Sequence, residues 1–307
     1  MFSIRSLSGG DFLYQGGSRV EYKISPHQRD SNPVDQTPRL LVMHYTGGSR
    51  ASGSIDWFAN PISKVSAHIT IGRDGKVYQS VAFDKRAWHC GHSSYRAPDG
   101  TKVTSINAYS IGIELANAGA CLRTAGGSWK NGLGVRVSSD DIIEARHKNG
   151  SVYFGSNPHG VPTGNVTKPG WETYPEAQLV AARELAGLLV EHYGLQDIVG
   201  HDDISPGRKS DPGPLFDTVG FRDSVFGMDA EGAAAWEVRP GTPGGLSIRV
   251  GPAKEFDKVR EENLAVGTVV ELNEMDGRWW HVTVLDDNGD DLLDGWVHSR
   301  YLQRHSG

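Results

Sequence analysis

An apolar run early in the chain, Leu40-Leu41-Val42-Met43, stops at His44-Tyr45-Thr46-Gly47-Gly48. Such a run predicts a buried strand opening into a glycine-rich turn, with His44 at the strand's end. Ala67-His68-Ile69-Thr70-Ile71 and Lys76-Val77-Tyr78-Gln79-Ser80-Val81 flank Gly72-Arg73-Asp74-Gly75, the pattern of two strands joined by a tight turn. In Ser110-Ile111-Gly112-Ile113-Glu114-Leu115 the period is two. Ile111, Ile113 and Leu115 share one strand face, and Gly112 and Glu114 share the other.

A helical period is clearest at Leu179, Ala182, Leu185, Ala186, Leu189 and Tyr193. Ahead of it, Thr173-Tyr174-Pro175-Glu176 reads as a capping box with proline in the first turn, and Gly194 reads as the stop. This helix should feed a short strand at Asp197-Ile198-Val199-Gly200, a loop from His201 to Pro214, and a last helix near residues 217–226. Residues 118–170 are rich in Gly, Asn and Ser with weak periodicity, and are expected to form a long insertion carrying one hairpin around Asn149-Gly150. Residues 229–242 read as a linker, after which short strands and turns continue without a helical signal. The expectation is a larger domain over 1–228 and a small one over 243–307, in keeping with a length of 307 residues.

Composition narrows the partners. A chain that is 37% hydrophobic and 22% charged can build a sizeable core. Its net charge of -6 provides no broad basic field for a phosphate backbone, which argues against nucleic acid. No apolar run approaches the roughly 18 residues of a membrane-spanning helix, and the first residues lack an apolar signal-peptide centre. The protein is therefore expected to be cytoplasmic as synthesised, with any action outside the cell following signal-independent release. Two cysteines, Cys90 and Cys121, make no disulfide framework and no Cys-x-x-Cys pair.

The segment His201-Asp202-Asp203-Ile204-Ser205-Pro206-Gly207-Arg208-Lys209-Ser210-Asp211-Pro212-Gly213-Pro214 concentrates a histidine, acids, bases and three prolines. Catalytic zinc takes nitrogen and carboxylate donors from three side chains and keeps a position open for water. His201 and Asp211 on this proline-stiffened loop, with His44 from a strand end, form such a donor set. They lie far apart in sequence and match no short zinc motif.

Five ordered blocks carry a more specific signal: Leu41-Val42-Met43-His44-Tyr45-Thr46; Ser66-Ala67-His68-Ile69 with Arg73-Asp74-Gly75; Phe83-Asp84-Lys85-Arg86-Ala87-Trp88-His89-Cys90-Gly91; the strand at 110–115; and Gly200-His201 through Pro214. Together they resemble the N-acetylmuramoyl-L-alanine amidase type 2 family, and within it the AmpD-like zinc amidases of wall recycling, over roughly residues 22 to 226. The resemblance implies an α/β (α+β) fold with a mixed central β-sheet flanked by helices. It implies one Zn²⁺ per chain held by His44, His201 and Asp211, Glu114 as the acid that activates water, and Lys209 beside the developing oxyanion. Peptidoglycan or an anhydromuropeptide would be the substrate, with Tyr45, Trp88 and His89 as candidate contacts. Where some relatives carry a tyrosine before the hairpin histidine this chain has Ala67, which leaves the chemistry to Glu114 and Lys209. Residues 243–307 resemble a bacterial SH3-like barrel, in which Trp279, Trp280, Trp296 and Tyr301 could contact wall peptide or glycan.

Two other readings compete. A muropeptide-binding receptor shares the fold without cutting, but the full set His44, His201, Asp211, Glu114 and Lys209 argues for an enzyme. A cysteine peptidase would need Cys90 and His89 as a pair, and neighbours on a strand point to opposite faces.

Overall fold

The structure, a computed structural model, describes residues 1–30, 38–96, 102–155, 164–226, 235–276, 279–286 and 288–305. They fall into two compact units, residues 1–94 with 104–226 and residues 95–103 with 227–307.

The first unit is built on a six-stranded mixed sheet in the order Asp197–Gly200, Leu40–Tyr45, Ser110–Leu115, Ile69–Ile71, Val77–Gln79, Glu21–Tyr22. Leu40–Tyr45 is parallel to both of its neighbours, and Ser110–Leu115 is parallel to Leu40–Tyr45 and Ile69–Ile71. A parallel strand covered on both faces needs apolar side chains throughout, which is why residues 40–43 show no alternation. Val77–Gln79 returns antiparallel after Gly75, whose φ of 81° only glycine adopts freely.

Leu41, Met43, Ile69, Ile111, Ile113 and Leu115 face one side, where they share a core with Ala182, Leu185, Ala186 and Leu189 of the helix Glu176–Tyr193. His44 and Glu114 are register partners on the other side, at the carboxyl ends of parallel strands. Ligand sites collect at such ends because the chain leaves the sheet there. The helix ends as expected, with Gly194 left-handed at φ 63°, but its start differs. Pro175 occupies the N-cap position and no side chain caps it, so the capping box at Thr173 does not form. Gln178 replaces it, donating from Nε2 to Ile71 O (2.9 Å) and Ala116 O (3.1 Å), which ties the helix start to the strand ends.

The insertion is more structured than its sequence suggests. Residues 118–172 contribute a five-stranded sheet in the order Arg136–Val137, Trp129–Asn131, Ala120–Arg123, Gly170–Glu172, Ile142–Glu144, plus a separate pair Val152–Phe154 and Gly164–Val166. The expected hairpin at Asn149-Gly150 is instead a tight turn closed by a single bridge, His147 to Gly150, and it joins strands that do not pair with each other. Strands of two to four residues are too short to leave a period in the sequence. Buried Glu172 anchors this sheet, accepting from Ala118 N (2.5 Å) and Ser49 Oγ (3.1 Å).

The second unit contains a five-stranded antiparallel sheet in the order Asp291–His298, Trp279–Leu285, Val269–Asp276, Ala235–Val238, Leu302–Arg304. The linker expected over 229–242 therefore ends earlier, because Ala235–Val238 is a strand of this sheet and Trp236 is 2% exposed. Residues 229–234 of that stretch lie outside the described residues. Trp280 is fully buried and packs edge-on against Trp236, so it belongs to the core rather than to a binding face. Trp279, Trp296 and Tyr301 remain half-buried.

Candidate active site

Three elements converge beside the end of the strand Leu40–Tyr45. His44 closes that strand. His201 follows the adjacent strand Asp197–Gly200 and begins a single helical turn, His201–Ile204. Asp211 is brought back by the loop, whose return is held where Asp202 N donates to Asp211 O (2.8 Å). The insertion buttresses this turn: Asp202 pairs with His147 Nε2 at 2.9 Å and with Lys148 Nζ at 2.8 Å.

His44 Nδ1 lies 2.9 Å from His201 Nδ1, and each of the two nitrogens lies 2.8 Å from Asp211 Oδ2. His44 and His201 are each 1% exposed. His201 Nε2 faces Cys90 O at 3.0 Å and Arg208 Nη2 at 3.4 Å; the carbonyl, which can only accept, is the nearer partner, and Arg208 Nη2 itself donates to that carbonyl at 2.8 Å, which assigns the His201 proton to Nε2 and leaves its Nδ1 lone pair free. Two imidazole nitrogens and a carboxylate oxygen aimed at one point, with one nitrogen bare, are the donor set a cation needs. Burial, with His201 alongside, pulls His44 down to about 4 despite Asp211, so the ring is neutral at neutral pH. Burial pushes the Asp211 carboxyl up, but the two imidazoles that face its Oδ2 outweigh it and hold the carboxyl well below the usual range. Both are the protonation states that metal ligands require.

A second group, His44, His89 and Cys90, also brings three donors together. His89 and Cys90 are not on a strand, and Cys90 Sγ lies 3.1 Å from His89 Nδ1, which corrects the expectation that they point apart. Burial raises the Cys90 thiol well above its ordinary value, which makes it a poor nucleophile at neutral pH.

Glu114 sits beside His44 with Oε2 buried and without a hydrogen-bond partner among the described residues. Burial, reinforced by Asp211 and opposed by Lys209, raises its carboxyl to about 8. Lys209 lines a cavity of about 460 Å³ together with Trp88 and His89. Arg29, Lys64, Arg86 and Arg208 also line it, and among the described residues no carboxylate does. Tyr45 is not in this wall. Its hydroxyl is engaged with Ser210 Oγ (2.7 Å) and its ring packs against the insertion, so the contact expected of it goes to protein.

Residues 34–214 match the family described as N-acetylmuramoyl-L-alanine amidase (Amidase_2), more than half of the chain. The chain belongs to this family. The 1,6-anhydro-N-acetylmuramyl-L-alanine amidase AmpD of Escherichia coli K12 is 31% identical over 215 residues, covering 64% of this chain and 87% of AmpD. The N-acetylmuramoyl-L-alanine amidase AmiD of the same organism is 29% identical over 187 residues, covering 58% of this chain and 50% of AmiD. A solved selenomethionine AmpD derivative is 27% identical and covers 67% of this chain and 93% of its own at a TM-score of 0.39. The protein is an N-acetylmuramoyl-L-alanine amidase, a hydrolase of peptidoglycan turnover.

Sequence reasoning missed most of the amidase's cationic wall. Of its members, Lys209 was singled out, Arg86 and Arg208 lie in blocks that stood out without being assigned a role, and Arg29 and Lys64 are brought in by the fold. It also assigned no partner to His68, which is fully buried, accepts from Gly112 N at Nδ1 (3.0 Å) and donates from Nε2 to Lys85 O (2.8 Å). The bond accepted at Nδ1 needs the neutral ring, and burial, only partly opposed by the Lys85 carbonyl, lowers its pKa from 6.5 to about 4. Between those values the unfolded chain binds the proton and the folded chain does not, so stability falls as pH drops through that window. Thermal melts of the amidase should lose on the order of 3 kcal/mol from His68 between pH 6.5 and 4. A His68→Asn variant should show a shallower decline, and an unchanged one would contradict the assignment.

Proposed function

We propose that this amidase is zinc-dependent and hydrolyses the amide between N-acetylmuramic acid, or its anhydro form, and L-alanine in peptidoglycan fragments. The observation that carries the reading is the convergence of His44 Nδ1, His201 Nδ1 and Asp211 Oδ2 within 2.9 Å of one another. When bound there, zinc supplies a Lewis acid that acidifies water and polarises a carbonyl oxygen. Glu114, as the carboxylate, takes the proton of the attacking water, and its raised pKa suits it to hold that proton until it passes to the leaving alanine nitrogen. Lys209 places its charge where negative charge builds on the carbonyl oxygen.

The cationic cavity fits the rest of such a substrate. A stem peptide that begins with L-alanine continues through residues bearing free carboxylates, and Arg29, Lys64, Arg86 and Arg208 offer charge-assisted donors to them. Arg86→Ala should raise KM about tenfold, the effect of losing one charge-assisted hydrogen bond of ~1.5 kcal/mol. The increase should shrink for a peptide whose carboxylates are amidated. An equal increase for both peptides would remove Arg86 from carboxylate binding. The names of the AmpD relatives support the anhydro sugar as substrate. We read the second unit's sheet as an SH3-like module whose Trp279, Trp296 and Tyr301 contact wall polymer.

Zinc titrated into chelated protein tests the reading. Cleavage of soluble anhydromuropeptide should return in full with one equivalent. Tight zinc binding without cleavage of soluble fragments or of intact sacculi would favour the muropeptide receptor instead.

A further inference from the structure

We propose that His89 is a positioning residue which, anchored by Ser110, holds His44 in the one tautomer that leaves its Nδ1 bare. This rests on the metal-centre reading above. The polarity follows from the far end of a chain of contacts. Ile106 O can only accept, so Ser110 Oγ donates to it at 2.8 Å. The Ser110 oxygen is then the acceptor for His89 Nε2 at 3.2 Å, which puts the His89 proton on Nε2. Neutral His89 therefore presents a lone pair at Nδ1, and His44 Nε2, 2.9 Å away, donates to it. With its proton on Nε2, His44 turns an unprotonated Nδ1 toward His201 and Asp211.

The adjacent residue does the same for the other histidine, because Cys90 O accepts from His201 Nε2 at 3.0 Å. Two consecutive residues thus set the tautomers of both. Their backbone is braced in turn, since Asn107 Oδ1 accepts from His89 N (3.1 Å) and Cys90 N (2.7 Å). The strand beneath is shaped for the ring. A Cβ on Gly112 would stand 2.5 Å from His89 Nδ1 and 2.6 Å from its Cγ, so a larger residue there would displace the imidazole. His89 crosses the His44 ring nearly at right angles, 86° with centroids 5.1 Å apart, the geometry of an edge-on hydrogen bond rather than of stacking.

His89 also lines the cavity, so a substrate contact is the competing role. The two separate in zinc affinity, measured by competition with a chromophoric chelator, against KM. His89→Ala should weaken zinc binding about 10- to 100-fold. His89→Asn, which keeps an acceptor near the Nδ1 position, should recover most of that loss. Ser110→Ala should weaken zinc binding by a smaller factor while leaving His89 in place, and circular dichroism checks that each variant folds. Long-range ¹H–¹⁵N spectra of the wild-type protein should show both His44 and His89 protonated on Nε2. Wild-type zinc affinity in both His89→Ala and Ser110→Ala with only KM raised would overturn the proposal, as would a His89 protonated on Nδ1. If the wild-type protein binds no zinc, the metal reading fails, and the spectrum alone then decides the tautomers.

Discussion

Glu114→Gln is expected to lower kcat by about 10²- to 10⁴-fold while KM changes little and the metal stays bound. The amide keeps the size of the carboxylic acid but can neither take a proton from water nor return one to the alanine nitrogen. Its effect on the metal should be small because Glu114 stands outside the trio that converges within 2.9 Å. The buried, unpartnered Oε2 is an expensive feature to keep in a central strand unless something is delivered to it. Steady-state kinetics with metal analysis of the same preparation checks this. A variant that retains wild-type kcat would remove Glu114 from the chemistry, and one that loses its metal would make it a ligand.

The second large effect is expected for Asp211→Ala, which should lose both the metal and cleavage. Asp211 Oδ2 is the only anionic donor of the trio and touches both imidazoles at 2.8 Å. Without it two neutral nitrogens remain, and the trio offers no anionic donor to offset the charge of a bound dication. Turnover should fall to the level of chelated wild-type protein, and added zinc should not restore it at concentrations that restore the wild type. The fold should persist, because the core of Leu41, Met43, Ile111, Ile113 and Leu185 lies on the opposite face of the sheet. Activity rescued by stoichiometric zinc would contradict the assignment.

What the sequence makes legible follows from which interactions are local. The apolar run at 40–43, the alternation at 110–115 and the helical stripe from Leu179 to Leu189 each report burial against a single face, so the central sheet and its helix can be read directly. The loop from His201 to Asp211 is conspicuous because no packing argument accounts for its crowd of charges and prolines. The insertion is another matter. Its strands hold through anchors that are distant in sequence, such as Glu172 on Ala118 and Ser49, and Asp202 on His147 and Lys148. The capping box at Thr173 fails for a related reason, since Gln178 ties the helix start to strand carbonyls more than 60 residues away. Trp236 likewise sits in a four-residue strand amid alanines and prolines, where composition suggests a linker. Cys90 and His89 are neighbours whose contact depends on the chain leaving the strand conformation, which no periodicity reports.

The most direct test is mass-spectrometric identification of the products formed from an anhydro-N-acetylmuramyl peptide by wild-type protein, with chelator and again after zinc is restored. The account predicts free peptide beginning with L-alanine and the intact anhydro sugar, both abolished by chelation and both returning with zinc. Cleavage at any other bond, or release that continues undiminished in the chelated protein, would contradict it.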